Sequence, residues 1–252
     1  MSEELGHSFV AERVLRAREE IELAVARSGR KLVDIEIMAV TKFHPLSAVE
    51  AAYAAGIRLF GENRVQEAEE KFPAFLAAHP DASLELIGHL QSNKAKKAES
   101  LFRRIQSIDS IEILRELAKR RSARIASREA TASLEVLFEF HTGEESKSGF
   151  PDLEALLRAL EFIGELAAAG HGVAPIKLRG LMTMAPFTKD SELIRASFRA
   201  LRGAFERIAE RMRDADFNVL SMGMTNDYPI AVEEGATLLR IGSAFFGDRF
   251  PL

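Results

Sequence analysis

The sequence contains no cysteine, which excludes disulfide bonds, thiolate metal sites and a cysteine nucleophile. It also lacks an uninterrupted apolar run of about 18 residues, the length that a membrane-spanning helix needs, so we expect no membrane partner. The first residues, MSEELGHSFV, carry acids where a secretory signal peptide carries positive charge. These absences together lead us to expect a cytoplasmic protein.

An excess of positive charge is missing as well. The chain has 34 Lys and Arg residues against 38 Asp and Glu residues, which gives a formal net charge of -4. Proteins that bind nucleic acids non-specifically usually concentrate positive charge on one face. We therefore expect no nucleic-acid partner.

Several motifs of catalysis and metal binding are also absent. The 6 histidines show neither an HExxH motif nor another paired spacing, so we expect no metal site built on histidine. There is no GxSxG nucleophile motif and no phosphate-binding Walker loop. Hydrolase and nucleotide-hydrolysing sites of these kinds are therefore not expected.

The sequence does contain a regular alternation of short apolar runs with helical patterns. The predicted strands are Ile35 to Lys42, Ile57 to Phe60, Leu84 to Ile87, Arg104 to Ile108, Leu134 to Phe140, Ile176 to Met182, Val219 to Ser221 and Thr237 to Ile241. A predicted helix follows each strand, and residues 8–28 form an extra N-terminal helix with Ser8 as its cap.

This rhythm over about 250 residues predicts an α/β fold, a single (β/α)8 TIM barrel domain over residues 1–252. A doubly wound open sheet would show the same alternation of strands and helices. However, no GxGxxG turn follows the first predicted strand. We therefore favour the barrel.

The first predicted strand ends in a lysine, in the segment IEIMAVTKFHP at residues 35–45. Strand alternation places Met38, Val40 and Lys42 on the same side of the strand. Lys42 then lies at the carboxyl end, where barrel enzymes place their ligand-binding residues. The alternative is a solvated lysine at the end of an edge strand.

The segments after the last two strands have the composition of a phosphate site. They read SMGMT at residues 221–225 and GSA at residues 242–244. Barrels commonly bind phosphate in these two loops. Gly223 and Gly242 would let backbone N–H groups approach an anion, and Ser221 and Ser243 would add hydroxyl donors. The alternative is that both glycines only form tight turns.

A lysine beside a phosphate site suits a phosphorylated aldehyde or ketone held as a Schiff base. Two ligand classes fit, namely pyridoxal 5'-phosphate (PLP) and the sugar phosphates of Schiff-base aldolases. Arg240 shares a strand face with Leu238 and Gly242, so it could point at the pyridine ring of PLP. A permanent cation beside the pyridine nitrogen would disfavour protonation of the ring. Arg240 favours PLP because it would have no comparable task in an aldolase. The alternative for Arg240 is a salt bridge to a strand acid such as Glu36.

Several ordered segments closely resemble the pyridoxal phosphate homeostasis protein family, which is similar to the N-terminal barrel of alanine racemases. The resemblance covers about residues 8 to 249. The segments are AVTKFHP (39–45), GENRVQEA (61–68), IGHLQSNKAKK (87–97), TGEESKSGF (142–150), GLMTMAP (180–186), LSMGMTND (220–227) and LLRIGSAFFG (238–247).

The resemblance implies that PLP is held as a Schiff base on Lys42 and that Arg240 faces its pyridine nitrogen. It implies further cofactor-binding positions around the phosphate and the ring, namely Asn63, Ser221, Met222, Gly223, Gly242 and Ser243. It gives no reason to assign a catalytic role to His89, which we expect to bond to the backbone. Lys147, in the loop after the fifth strand, is expected to be a solvated lysine.

The resulting expectation is a cytoplasmic protein that binds PLP for vitamin B6 homeostasis without turnover of its own. Apo forms of PLP-dependent enzymes are possible partners, and a monomer is expected. The alternative is an amino-acid racemase, which needs a base on each face of the substrate. Alanine racemases take the second base, a tyrosine, from an added domain, and this chain ends at Leu252. Here only Tyr228, after the seventh strand, lies near enough to the predicted barrel mouth to serve.

Overall fold

Eight parallel strands form a closed barrel in which each strand pairs with its neighbours in chain order and β8 pairs with β1. The computed structural model describes residues 2–143, 148–169 and 172–247, with side chains from residue 9 onward. The strands are β1 Glu36–Val40, β2 Leu59–Glu62, β3 Ser83–Leu86, β4 Arg104–Ile108, β5 Leu134–Glu139, β6 Ile176–Met182, β7 Val219–Ser221 and β8 Leu238–Ile241. This confirms the predicted (β/α)8 barrel.

The helices surround the barrel, and the extra N-terminal helix precedes β1 as predicted. They are α1 Ser2–Ser28, α2 Leu46–Ala54, α3 Val65–Lys71, α4 Pro73–Ala78, α5 Ala95–Leu101, α6 Ile111–Ala126, α7 Leu153–Ala169, α8 Ser191–Met212, α9 Tyr228–Glu233 and α10 Ser243–Phe246. Short 3₁₀ turns occupy Leu32–Asp34 and Ser92–Lys94. Within the described residues, the helices are too short or too polar to cross a membrane.

The two faces of the strands bury two separate apolar clusters. A large cluster lies between the strands and the helices, where Ala39 and Phe60 face α-helical side chains. A smaller cluster fills the barrel interior and consists of Met38, Leu59, Leu137, Met182, Val219 and Leu238. Side chains two residues apart on a strand point to the same face. Val40 and Arg240 therefore point into the barrel, as Met38 and Leu238 of the inner cluster do.

Gly180 allows β6 and β7 to approach closely. Gly180 pairs with Val219 across these strands. A Cβ atom added to Gly180 would lie 1.7 Å from the carbonyl oxygen of Val219. No side chain fits at this separation without movement of the backbone, so glycine is needed here for the barrel to close.

Some predicted boundaries are wrong. The first helix begins at Ser2, so Ser8 lies inside it and is not its cap. The helix predicted over residues 64–78 is divided into α3 and α4 because Pro73 has no N–H to continue the hydrogen-bonding pattern. The strand β1 ends at Val40, two residues before Lys42.

Candidate functional site

The carboxyl ends of the strands enclose a cavity of about 510 Å³. Residues at or after the ends of β1, β2, β3, β5, β6, β7 and β8 line it. Its walls combine apolar side chains, among them Ile87, Met182 and Met184, with a few charged and hydroxyl groups. This size and composition are typical of a site for a small molecule or cofactor.

A wider depression of about 810 Å³ lies at the opposite end of the barrel, between the starts of β3, β4 and β5. Its charged side chains are largely paired with one another, as when Arg121 and Arg124 both contact the buried carboxylate of Glu99. We therefore assign the functional site to the smaller cavity, which lies where barrels of this fold bind their ligands.

Five of the eight predicted cofactor-binding residues line this cavity. They are Lys42, Asn63, Arg240, Gly242 and Ser243. Two come from the β1 and β2 ends and three from the β8 end. Since β1 pairs with both β2 and β8, these residues belong to one continuous sector of the barrel mouth.

Lys42 lies in a tight turn after β1 and is half-buried. The turn is closed by a 3.0 Å hydrogen bond from the backbone N–H of His44 to the carbonyl oxygen of Thr41. Phe43 has a φ of 66°, which is uncommon for a bulky side chain and costs about 1 kcal/mol or more. Its backbone N–H donates to Glu67 on α3 over 2.6 Å. The turn is therefore held by contacts outside itself.

Lys71 on α3 supplies two further contacts to the turn. Its side chain is only 8% exposed, and Nζ donates to the carbonyl oxygens of Thr41 and His44 over 2.9 Å each. The same ammonium group lies 2.7 Å from the buried carboxylate of Glu62 and 3.0 Å from that of Glu67. Lys71 therefore fixes both ends of the turn that carries Lys42, a role that we did not predict from the sequence.

The carboxylate of Glu62 is fully buried behind this turn. Its Oε1 accepts a 2.6 Å hydrogen bond from the hydroxyl of Thr41 and forms an ion pair with Lys71. Its Oε2 is buried without a hydrogen-bond partner among the described residues. Burial raises the pKa of Glu62, whereas the bonds from Lys71 and Thr41 lower it.

Arg240 is buried at the floor of the cavity, with 3% of its surface exposed. Its Nη1 donates to the hydroxyl oxygen of Ser221 over 2.6 Å, and its Nη2 donates to the carbonyl oxygen of Thr183 over 2.7 Å. The salt bridge to Glu36 that was the alternative is not among its described contacts. Burial lowers the pKa of Arg240 to about 10, which still leaves the guanidinium charged at neutral pH.

Ser221, Met222 and Gly223 lie behind the cavity lining. The Ser221 hydroxyl donates to Gln106 over 2.7 Å and accepts from Arg240, so its hydrogen bonds are made below the floor. Met222 points outward into the cluster between strands and helices, since it alternates with Ser221. Gly223, at φ 95°, packs so closely on α9 that an added Cβ would lie 2.5 Å from that of Ala231.

The loop after β8 turns into the short helix α10 at Gly242 and Ser243. The hydroxyl of Thr225 in the β7 loop accepts the backbone N–H of Ala244 over 3.2 Å, which ties the two predicted phosphate loops together. On the other side, Nη1 of Arg13 in α1 donates to the carbonyl oxygen of Ser243 over 3.2 Å. The extra N-terminal helix thus supports the β8 loop.

Glu139 and His89 also line the cavity, although neither was predicted to bind the cofactor. Glu139 is 3% exposed, accepts a 3.1 Å hydrogen bond from Ser148, and has its pKa raised by burial. Glu139 is the last residue of β5 and follows the inward-facing Leu137 by two residues, so strand alternation could have predicted that its side chain points into the barrel. His89 bonds through Nδ1 to the carboxylate of Asp109 over 2.9 Å, so the expected bond to backbone is wrong.

The two tyrosines both bond to carboxylates outside the cavity lining. Tyr228 begins α9 as predicted, directly after the cavity-lining Asp227, but it is 4% exposed and donates its hydroxyl hydrogen to Glu20 on α1. Burial, together with this bond, raises the pKa of Tyr228. Tyr53 donates to Asp81 over 2.7 Å. The hydroxyl of Tyr228 is therefore engaged with α1, and Tyr228 is not among the residues that line the cavity.

Two further predictions concern the solvation of Lys147 and a metal site. Lys147 lies outside the described residues. Among residues 9–143, 148–169 and 172–247, no cluster of three or more His, Cys, Asp or Glu residues could hold a metal ion.

Comparison with known proteins identifies the relatives of this chain. The profile of the alanine racemase N-terminal domain matches residues 18–250. A pyridoxal phosphate homeostasis protein of Vibrio cholerae is 35% identical over 233 residues, covering 91% of this chain and 92% of the relative. The protein of the same name from Escherichia coli is 34% identical and covers 95% of this chain and 97% of the relative.

Solved structures show the same relationship. PipY from Synechococcus elongatus, solved with PLP bound, is 34% identical, with a TM-score of 0.75 over 94% of this chain and 100% of that one. A protein from Bifidobacterium adolescentis is 31% identical, with a TM-score of 0.85 over 96% of both chains. Alanine racemase of Clostridium difficile is 11% identical, with a TM-score of 0.71 over 96% of this chain and 57% of its own, and shares the fold.

Proposed function

Because this chain belongs to the pyridoxal phosphate homeostasis protein family, within the alanine racemase N-terminal domain fold, we propose that it binds PLP and serves intracellular vitamin B6 homeostasis. The observation that carries the proposal is that Lys42, Arg240 and the Gly242–Ser243 loop line one cavity at the barrel mouth. The relative from Synechococcus elongatus, solved with PLP bound, supports it.

The chemistry of the cavity fits the three polar ends of PLP. The aldehyde needs an amine, which Lys42 supplies. The phosphate needs hydrogen-bond donors, which the β7 and β8 loops supply through Thr225, Ser243 and glycine-containing backbone. The pyridine ring fits between apolar side chains such as Ile87 and Met184, with the guanidinium of Arg240 beneath.

In this proposal Lys42 attaches the cofactor covalently, with loss of one water molecule, and the remaining predicted residues orient it. PLP, when bound, supplies an aldehyde that reacts reversibly with amines. Lys71 holds the turn that carries the attaching amine. Arg240 places a charged guanidinium, and no proton acceptor, on the cavity floor, so it disfavours protonation of a pyridine nitrogen beside it. Such an environment weakens the electron sink on which transaminases depend.

We further propose that the protein carries PLP without turnover of an amino acid. A racemase needs a second base opposite Lys42. The hydroxyls of Tyr53 and Tyr228 are bonded to carboxylates away from the cavity lining, which supports the carrier role. In the cell the protein would act in the cytoplasm, as a monomer, on apo forms of PLP-dependent enzymes.

An absorbance experiment with amino acids tests this function. The purified protein is mixed with PLP, freed of excess cofactor and scanned with and without alanine and other amino acids. We expect a visible absorption band from retained PLP and no interconversion of L- and D-amino acids by chiral chromatography. Loss of the band on desalting would contradict PLP binding, whereas catalytic interconversion would contradict the carrier role. Tyr228→Phe should match the wild-type protein in both measurements.

A further inference from the structure

A continuous column of buried polar side chains extends from Arg240 into the barrel interior. Nη1 of Arg240 donates to Oγ of Ser221 over 2.6 Å, and Ser221 donates to Oε1 of Gln106 over 2.7 Å. Nε2 of Gln106 then donates to Oε2 of Glu85 over 2.6 Å. Oε1 of Glu85 lies 3.1 Å from Nη1 of Arg104. The column joins the cavity floor to the opposite half of the barrel.

Members of the column come from four different strands and are shielded from water. Arg240 is 3% exposed, Arg104 is 1% exposed, and Ser221, Gln106 and Glu85 are each 0% exposed. Buried polar groups of this kind cost free energy unless every one is satisfied. An interior of apolar side chains would give the barrel comparable stability. The fold alone therefore does not require this column.

The hydrogen bonds of the column have a fixed direction. The amide nitrogen of Gln106 donates to Oε2 of Glu85, whose Oε1 faces the guanidinium of Arg104 as an ion pair. The amide oxygen of Gln106 then faces Ser221 and takes the hydroxyl hydrogen, which leaves an oxygen lone pair directed at Arg240. The hydroxyl of Ser221 is thus oriented as an acceptor for the guanidinium.

We propose that Ser221, Gln106 and Glu85 are positioning residues that orient the guanidinium of Arg240 toward the pyridine end of the bound cofactor. This inference rests on the proposed binding of PLP in the cavity. The carbonyl oxygen of Thr183 holds the second nitrogen, Nη2, so the two contacts together fix the plane of the guanidinium. The hydroxyl of Ser221 accordingly serves Arg240 and not the phosphate.

A double-mutant cycle tests whether the column acts through Arg240. Gln106→Met and Ser221→Ala are each made in the wild-type protein and in an Arg240→Met background, and PLP affinity and the absorption maximum of bound PLP are measured. In the wild-type background we expect each variant to weaken PLP binding about tenfold and to shift the maximum in the direction that Arg240→Met shifts it. In the Arg240→Met background we expect changes of less than about twofold.

Ser197→Ala is the matched control. Ser197 is also a buried serine, 3% exposed, whose hydroxyl is hydrogen-bonded to that of Thr142 over 2.5 Å. It lies on α8, outside the column. We expect this variant to keep wild-type PLP affinity and the wild-type absorption maximum, because it removes a buried hydroxyl without a contact to Arg240.

Each other outcome overturns the positioning role. Equal losses of affinity in both backgrounds would mean that the column acts independently of Arg240. An unshifted absorption maximum, or failure of both single variants to unfold cooperatively in urea, would assign the column to the fold alone. Failure of the wild-type protein to retain PLP would instead contradict the proposed function, so the two failures are distinguishable.

Discussion

Replacement of Lys71 by methionine is the strongest test of how the barrel holds the turn that carries Lys42. Methionine keeps the apolar length of the side chain and removes the ammonium group. Two backbone carbonyl oxygens and the carboxylates of Glu62 and Glu67 then lose a donor. Removal of one partner from a buried ion pair costs about 3–5 kcal/mol, and we expect this loss in the free energy of unfolding at pH 7.

The pH dependence of the loss distinguishes this explanation from poor packing. Burial raises the pKa of Glu62, and Lys71 is among the groups that lower it, so Lys71→Met raises this pKa further. When the pKa of a carboxyl group is higher in the folded than in the unfolded protein, the group stabilises the folded protein most at pH values below its pKa in the unfolded state. This contribution is lost as the pH rises through its pKa in the folded state. The deficit of Lys71→Met should therefore be smaller at pH 5 than at pH 7, by up to about 1.4 kcal/mol per pH unit.

Urea unfolding of four proteins measures both effects. The set is the wild-type protein, Lys71→Met, Glu62→Gln and the double variant, each at pH 5 and pH 7. The double variant should be at least about 1 kcal/mol more stable than Lys71→Met at pH 7, because it no longer buries an unpaired carboxylate. A loss below about 1 kcal/mol for Lys71→Met, or the same loss at both pH values without recovery in the double variant, would refute this reasoning.

The remaining predictions concern α9 and the barrel wall. Tyr228→Phe should lower the free energy of unfolding by about 1–2 kcal/mol at pH 7 through loss of the bond to Glu20. Because the pKa of Tyr228 is raised, this deficit should become smaller above pH 10. An unchanged deficit in urea unfolding above pH 10 would contradict this explanation. Gly180→Ala should cost at least about 3 kcal/mol because its Cβ would lie 1.7 Å from the carbonyl oxygen of Val219. The control Gly203→Ala lies in helix α8, where its added Cβ would meet nothing within 4 Å outside its own stretch of helix, and it should stabilise the protein by about 0.5–1 kcal/mol. Equal thermal stability of the two alanine variants would be inconsistent with this account of the barrel wall.

The sequence predicted those features that depend on local periodicity. The alternation in IEIMAVTKFHP directs Met38 and Val40 inward, and Met38 is in the inner cluster. The same argument placed Arg240 with Leu238 on the inner face of β8, and both are found there. The break between α3 and α4 was visible as Pro73, although we predicted one continuous helix.

Depth along the barrel axis could not be predicted in this way. Alternation puts Ser221 on the inner face of β7, but the register between strands determines whether an inward side chain reaches the cavity or lies under its floor. Ser221 pairs with Leu238 of β8, two residues before Arg240, and the side chain of Arg240 lies between the cavity and the Ser221 hydroxyl. Sequence spacing within one strand contains no information on this offset.

Long-range polar contacts were equally hidden. Lys71 has the pattern of an ordinary lysine at the end of a helix, yet its acceptors at Thr41 and His44 lie 30 and 27 residues earlier. Gln106 and Ser221 are separated by 115 residues. Such pairs form only because the barrel brings the ends of distant strands together, so their partners cannot be read from local sequence.

The most direct test of the central claim is the location of the attached cofactor. The PLP-loaded protein is reduced with borohydride, digested and mapped by peptide mass spectrometry, in parallel with Lys42→Ala and with Lys71→Arg, which keeps a charged group at the supporting position. We predict a pyridoxyl group on the peptide that contains Lys42 in the wild-type and Lys71→Arg proteins, and none in Lys42→Ala. A reduced adduct on another lysine, or one that persists in Lys42→Ala, would contradict the account.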